Sequence, residues 1–314
     1  MTKTSTPAET GRMEHPLGYK DRIMMLGSCF SDEMAAIMKS LYFNVCSNPT
    51  GTLYNPESIA AAIRRLDTGE EFTERDIEEI GAGIKAYSSF HHHSSFADTD
   101  PGRFLERANA SLREASAHFK AADYMIITFG TSWAYRHKGR DMVVSNCLRH
   151  DPKEFERFFL SPEDTSGTWN AIAADFPGKT WIFTVSPIRH LKDGAHGNSL
   201  SKAALMLATE RICAENANCH YFPAFEIMND ELRDYRYYAE DMVHPSPLAV
   251  KIIWERFCGY ALSAESRALL PEAEAVRAAV NHRPFFTGLR ENEDFEKKSR
   301  ERERFFIEKT GKCK

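Results

Sequence analysis

The stretch MMLGSCFSDEM (24–34) sets a glycine, a hydroxyl and a thiol after an apolar run and before an acidic, helix-like one. Far downstream, in DMVHPS (241–246), Asp241 and His244 stand three apart just before a helix start. A serine hydroxyl is a poor nucleophile until a base takes its proton, and an imidazole base needs a group that holds its tautomer. Ser28, His244 and Asp241 therefore point to nucleophilic acyl chemistry. Each also has a plainer reading: a turn serine, a surface histidine, and an Asx turn feeding a helix. Taken jointly, at the loops that follow the first and last strands, they favour catalysis. Cys29 is the rival nucleophile, in a Cys–His arrangement. A buried free cysteine more often packs as a small hydrophobe, so Ser28 is the expected attacking group.

Other chemistry-bearing residues compete for a role. Three consecutive histidines, His91, His92 and His93, invite a metal reading. Neighbours on an extended chain point to opposite faces, however, and rarely converge on one ion. Arg189 and His190 follow a strand end and are, with Trp133, the candidate substrate contacts. In HGNSLSKA (196–203), Asn198 or Ser199 is expected to cap a helix. A phosphate-binding turn at Gly27–Ser28 would need a lysine after its glycines, and GSCFSD offers Asp32 instead, which repels phosphate. No metal or cofactor is expected.

These groups need elements that bring them together. RIMML (22–26), YFNVCS (42–47), YMIITFG (124–130), TWIFTVSP (180–187) and a short run near CHYFP read as strands. Helices are expected from Ser31, from Pro56, over 101–121, over 199–217 and from Pro247. Apolar strands alternating with helices make a mostly parallel sheet covered on both faces, hence a three-layer α/β/α sandwich of flavodoxin-like type. In such sheets ligands sit at the carboxyl ends of the strands. The loops there are 27–31, 48–56, 129–135, 186–190 and 241–246, which hold the candidates above.

Composition narrows the class. The chain has 314 residues, 42% hydrophobic and 27% charged, a globular rather than disordered profile. A net charge of −5 offers no basic surface for nucleic acid or an anionic membrane. No run of 18 apolar residues suggests a membrane span, and the N-terminus shows no apolar signal segment. Seven cysteines at scattered spacings fit reduced thiols, so the expected location is cytoplasmic. ENEDFEKKSRERERFF (291–306), dense in both charge signs, reads as a solvated helix or a partly mobile extension. A boundary is expected near residue 263, between a main domain over 15–262 and a charged helical extension over 263–314.

GSCF after the first strand, NPTGTLYNP, FGTSWAY, VSPIRH and YRYYAEDMVHPS together resemble the GSCFA-domain proteins, a group related to SGNH (GDSL-type) hydrolases. Ser31 stands where the family name has alanine. The resemblance implies an esterase or acyl transferase working through an acyl-Ser28 intermediate on a small-molecule or carbohydrate-linked acyl ester. It also implies an oxyanion hole from the backbone N–H groups of Ser28 and Gly51. SGNH enzymes carry G-x-N-D after a middle strand, and here Gly130-Thr131-Ser132-Trp133 leaves Ser132 as the third donor. The competing class is a non-catalytic ligand-binding protein that keeps the fold and cleft.

Overall fold

The computed structural model describes residues 6–81, 83–283 and 290–311. Its centre is a five-stranded sheet of β1 (Arg22–Gly27), β2 (Asn44–Ser47), β3 (Tyr124–Phe129), β4 (Thr180–Val185) and β5 (Cys219–Tyr221). The spatial order is β5-β4-β3-β1-β2, and every pairing is parallel. This is the flavodoxin-like order, in which the chain reverses direction between β1 and β3 and opens a crevice at their carboxyl ends.

Alternation along the strands explains the layers. Ile23 and Met25 pack with Phe30, Met34 and Met38 of α1 (Cys29–Ser40) and with Ile253, Trp254 and Phe257 of α6 (Pro247–Ala261). Met24 and Leu26 point the other way, toward α2 (Pro56–Thr68), α3 (Pro101–Lys120), α4 (Pro162–Asp175) and α5 (Gly194–Glu215). Successive side chains on a strand face opposite sides, so uninterrupted apolar strands demand cover on both. The expected α/β/α sandwich is the observed fold.

Helix starts follow local chemistry. Asn55, Asp100, Ser161 and Ser246 each cap a helix through the side chain, and each precedes a proline that lacks the N–H it would otherwise leave unbonded. Two starts differ from expectation. Helix α1 begins at Cys29, with Ser28 in the cap position, so Ser31 lies inside the first turn. Helix α5 begins at Gly194, and Asn198 Oδ1 instead accepts from His190 N at 2.9 Å.

The segment after β3, expected as loop, contains a strand. Trp133–His137 is the centre of a three-stranded antiparallel sheet with Met142–Val144 and Phe155–Phe159. Its WAYRH sequence has no apolar run. It is held by cross-strand pairs such as Trp133 opposite Phe159, and by the Arg157 guanidinium 4.0 Å over the Trp133 ring.

Beyond Ser263, which caps the next helix, lie α7 (Ala264–Val280) and α8 (Arg290–Thr310). Helix α8 is charged, yet it docks. Phe306 is 1% exposed and meets the Tyr19 and Tyr42 rings at 5.6 and 5.5 Å. No helix among the described residues is long and apolar enough to cross a membrane. Phe306→Ala should cost about 3–5 kcal/mol in chemical denaturation, whereas Phe305→Ala, at a 61% exposed position, should stay within about 0.5 kcal/mol.

Candidate active site

The turn after β1 is built on backbone bonds from both sides. Gly27 N–H donates to Asn48 Oδ1 at 2.9 Å, and Gly27 C=O accepts from Leu53 N at 2.9 Å. Ser28 N–H donates to Thr128 O at 3.2 Å. Gly27 has φ +142°, and a Cβ there would collide with the Thr128 backbone, so only glycine lets β1 and β3 run this close. Asn48 also donates to Asp32 Oδ1 at 2.7 Å, tying the end of β2 to the first turn of α1.

This turn orients two candidate nucleophiles differently. Ser28 is wholly buried, and among the described residues its Oγ has no hydrogen-bond partner. Cys29 is half-buried, and its Sγ lies 3.7 Å from His244 Nε2. The imidazole expected beside Ser28 therefore faces the thiol instead. The reason is local: the extended residue before a helix (Ser28 ψ 173°) turns its side chain into the protein, and the first helical residue turns outward.

The D-x-x-H turn serves both readings given to it. Asp241 Oδ1 accepts from the backbone N–H groups of Val243 and His244, each at 2.9 Å, while Oδ2 meets His244 Nδ1 at 2.6 Å. Those backbone donors, then the ring, hold the Asp241 carboxyl down to about 2, so it is ionised at neutral pH. With Nδ1–H given to Asp241, Nε2 presents its lone pair toward Cys29. Burial pushes the Cys29 thiol up; the N–H groups of Cys29 and Phe30 at the start of α1 pull it partly back.

All three expected oxyanion donors are occupied. Ser28 N–H is held by Thr128 O, Gly51 N–H by Asn48 O at 2.8 Å, and Ser132 Oγ–H by Ser201 O at 3.0 Å. Each pins its own loop. The groups left facing the thiol are the N–H groups of Cys29 and Phe30 at the start of α1.

A cleft of about 400 Å³ opens in front of Cys29 and His244, lined also by Tyr54, Thr131, Trp133, Arg189 and His190. The candidate substrate contacts thus share one cavity with the Cys–His pair. His91, His92 and His93 do not join it. His92 is a core residue, bonded to Ser89 Oγ at 2.7 Å and packed on Phe72, Phe96 and Phe104. His93 bonds Ser95 Oγ at 3.0 Å. Among the described residues no three His, Cys, Asp or Glu side chains converge as a metal site.

The chain matches the GSCFA family model over residues 22–257, which spans every strand of the sheet and both halves of the Cys–His pair. It belongs to the GSCFA family. A comparison with curated proteins gives no match. In this GSCFA protein the family's five-letter signature is Gly27 to Ser31, the turn described above, with Ser31 buried where the name has alanine.

Two residues near the site escaped the sequence reading. Tyr54 lines the cleft, and burial and the nearby Cys29 and Asp32 raise its phenol. Lys202 is fully buried in α5 and donates to Gly130 O at 2.7 Å and Ser186 O at 2.8 Å, the carbonyls that follow β3 and β4. A lysine three residues before Leu205 on a stripe continuing to Ile212 was the available signal.

Burial lowers the Lys202 ammonium from 10.5 to about 7. Below pH 7 the folded and unfolded chains both hold this proton. Between pH 7 and about 10.5 the unfolded chain holds it and the folded chain does not. The stability of wild type relative to Lys202→Met should therefore be flat below pH 7 and rise above it, by up to about 1.4 kcal/mol per pH unit. Urea denaturation at pH 6, 7.5 and 9 measures this. A difference independent of pH would show that Lys202 titrates normally.

Proposed function

We propose that this protein is an SGNH-like acyl hydrolase or acyl transferase in which Cys29, not Ser28, is the nucleophile. One observation carries the reading: Cys29 Sγ lies 3.7 Å from the Nε2 of an imidazole whose Nδ1 is held by Asp241 at 2.6 Å. The letters of GDSL agree with it, since a block aligned on Gly27 puts its third position, serine in that name, at Cys29.

The steps follow from the geometry. His244 Nε2 takes the thiol proton, and the sulfur attacks the acyl carbonyl to form a tetrahedral oxyanion. The N–H groups at the start of α1 face that charge, and a helix N-terminus favours an anion. The alcohol leaves with the proton from His244, giving an acyl-Cys29 thioester. Water, or a second hydroxyl, then attacks with His244 again as base. Asp241 keeps the imidazole in one tautomer throughout.

The rival reading, a ligand-binding cleft without turnover, is favoured by the raised thiol and by the occupied oxyanion donors. Turnover of a panel of short acyl p-nitrophenyl esters separates the two. Cys29→Ala and His244→Ala should each lower turnover by about 10²–10⁴-fold, and Asp241→Asn by less. Ser28→Ala should remain within a few-fold, because it deletes a buried hydroxyl that has no partner among the described residues. Loss of both fluorophosphonate labelling and turnover in Ser28→Ala, with Cys29→Ala active, would restore the serine mechanism. A folded wild type inert across the panel would favour binding.

A further inference from the structure

The cleft in front of Cys29 carries an imbalance of charge. Arg189 follows β4, and its backbone N–H donates to Val243 O at 3.3 Å, which registers it against the turn that carries His244. Arg189 is half-buried; its guanidinium lies 4.5 Å from the centre of the Tyr238 ring, bonds the Tyr238 hydroxyl, and lies 5.6 Å from the Tyr235 ring. Among the described residues no carboxylate forms an ion pair with it. Three carboxylates of this end of the sheet are committed elsewhere. Asp241 serves His244, Asp32 accepts from Asn48, and Asp193 pairs with Arg157. Lys192 at the rim donates to Tyr135 OH, and Lys202, whose charged form burial disfavours, sits beneath on the carbonyls of Gly130 and Ser186.

The chain as a whole is net negative, so a cleft lined by a guanidinium with no carboxylate partner among the described residues is a local arrangement and not a reflection of composition. His190, on the same wall, responds to that field. Burial, then the Lys202 and His244 charges, lower it to about 4, leaving it neutral at pH 7. Its Nε2 has no partner among the described residues. A planar guanidinium held on aromatic faces presents its fork in a fixed direction, which suits bidentate contact with a carboxylate or phosphate.

We propose that Arg189 forms an anion subsite, so that the acyl compound delivered to Cys29 carries a carboxylate or phosphate group. This rests on Cys29 as the reactive nucleophile, and the test separates the two claims. Iodoacetate and iodoacetamide alkylate a thiol by the same displacement, with sulfur–carbon bond formation and loss of iodide, but only iodoacetate is anionic. In the full-length wild type, the iodoacetate-to-iodoacetamide rate ratio at Cys29, read by mass spectrometry, should exceed that of free cysteine by about 10-fold or more. The ratio should fall as ionic strength rises.

Arg189→Gln should return the ratio to the free-thiol value while iodoacetamide still reacts. Arg189→Lys should keep part of the enhancement, since it keeps the charge and loses the fork. Protection by inorganic phosphate at lower concentration than acetate would assign a phosphate-bearing substrate, and the reverse order a carboxylate. A wild-type ratio equal to that of free cysteine, or one unchanged in Arg189→Gln, would overturn the subsite and leave Cys29 as nucleophile. Failure of both reagents to modify Cys29 would overturn the nucleophile assignment, and the subsite with it.

Discussion

Gly27 and Ser28 have their backbone groups bonded from two directions, by Asn48 and Leu53 on one side and Thr128 on the other. That turn crosses the point where the strand order of the sheet reverses, so it ties the end of β1 to the loop after β2 and to the end of β3. Without a Cβ at Gly27, β1 approaches the Thr128 backbone closely enough for Ser28 N–H to reach its carbonyl. The orientation of the next residues follows. Ser28, still extended, turns inward, and Cys29, already helical, turns toward the cleft. The remaining site groups are set relative to this turn.

The electrostatics divide between a dry side and a wet side. Cys29 and Lys202 sit where burial opposes charge, raising the thiol and lowering the ammonium. Asp241 and His244 lie at the rim, each about half exposed, and bond each other through a turn whose backbone N–H groups also stabilise the charged carboxylate. In the proposed mechanism, a proton passed from the half-buried sulfur to His244 would reach a group in contact with solvent. A helix N-terminus contributes about 0.3–1 kcal/mol toward an anion at an exposed site, and more when partly buried. Desolvation is the larger influence on the free thiol, so the helix start by itself leaves the thiol raised.

The small antiparallel sheet and the C-terminal helices illustrate how distant segments finish the molecule. Trp133 and Tyr135 become cleft walls because Phe155–Phe159 pairs beside them and Arg157 covers the indole. Helix α8, almost devoid of aliphatic residues, is held through Phe306 between Tyr19 and Tyr42, with Lys309 bonded to Glu272 of α7. In both cases the contacts are made by residues far apart in the chain.

What the sequence alone determined was set by periodicity and local capping. Uninterrupted apolar runs made β1, β3 and β4 parallel and doubly covered, and the Asn55-Pro56, Asp100-Pro101 and Ser246-Pro247 pairs marked helix starts. The spacing of Asp241 and His244 told of a carboxylate near an imidazole, because three residues in one tight turn can scarcely do otherwise. Which neighbour of that imidazole would be sulfur or oxygen was a tertiary matter. It depends on the chain passing from extended to helical between residues 28 and 29, two positions earlier than the Ser31 start that capping and spacing suggested. The fate of each loop donor, and the burial of Lys202 beneath the cleft, were also decided by packing. A backbone N–H or an ammonium carries no mark in the sequence of the carbonyl it will meet.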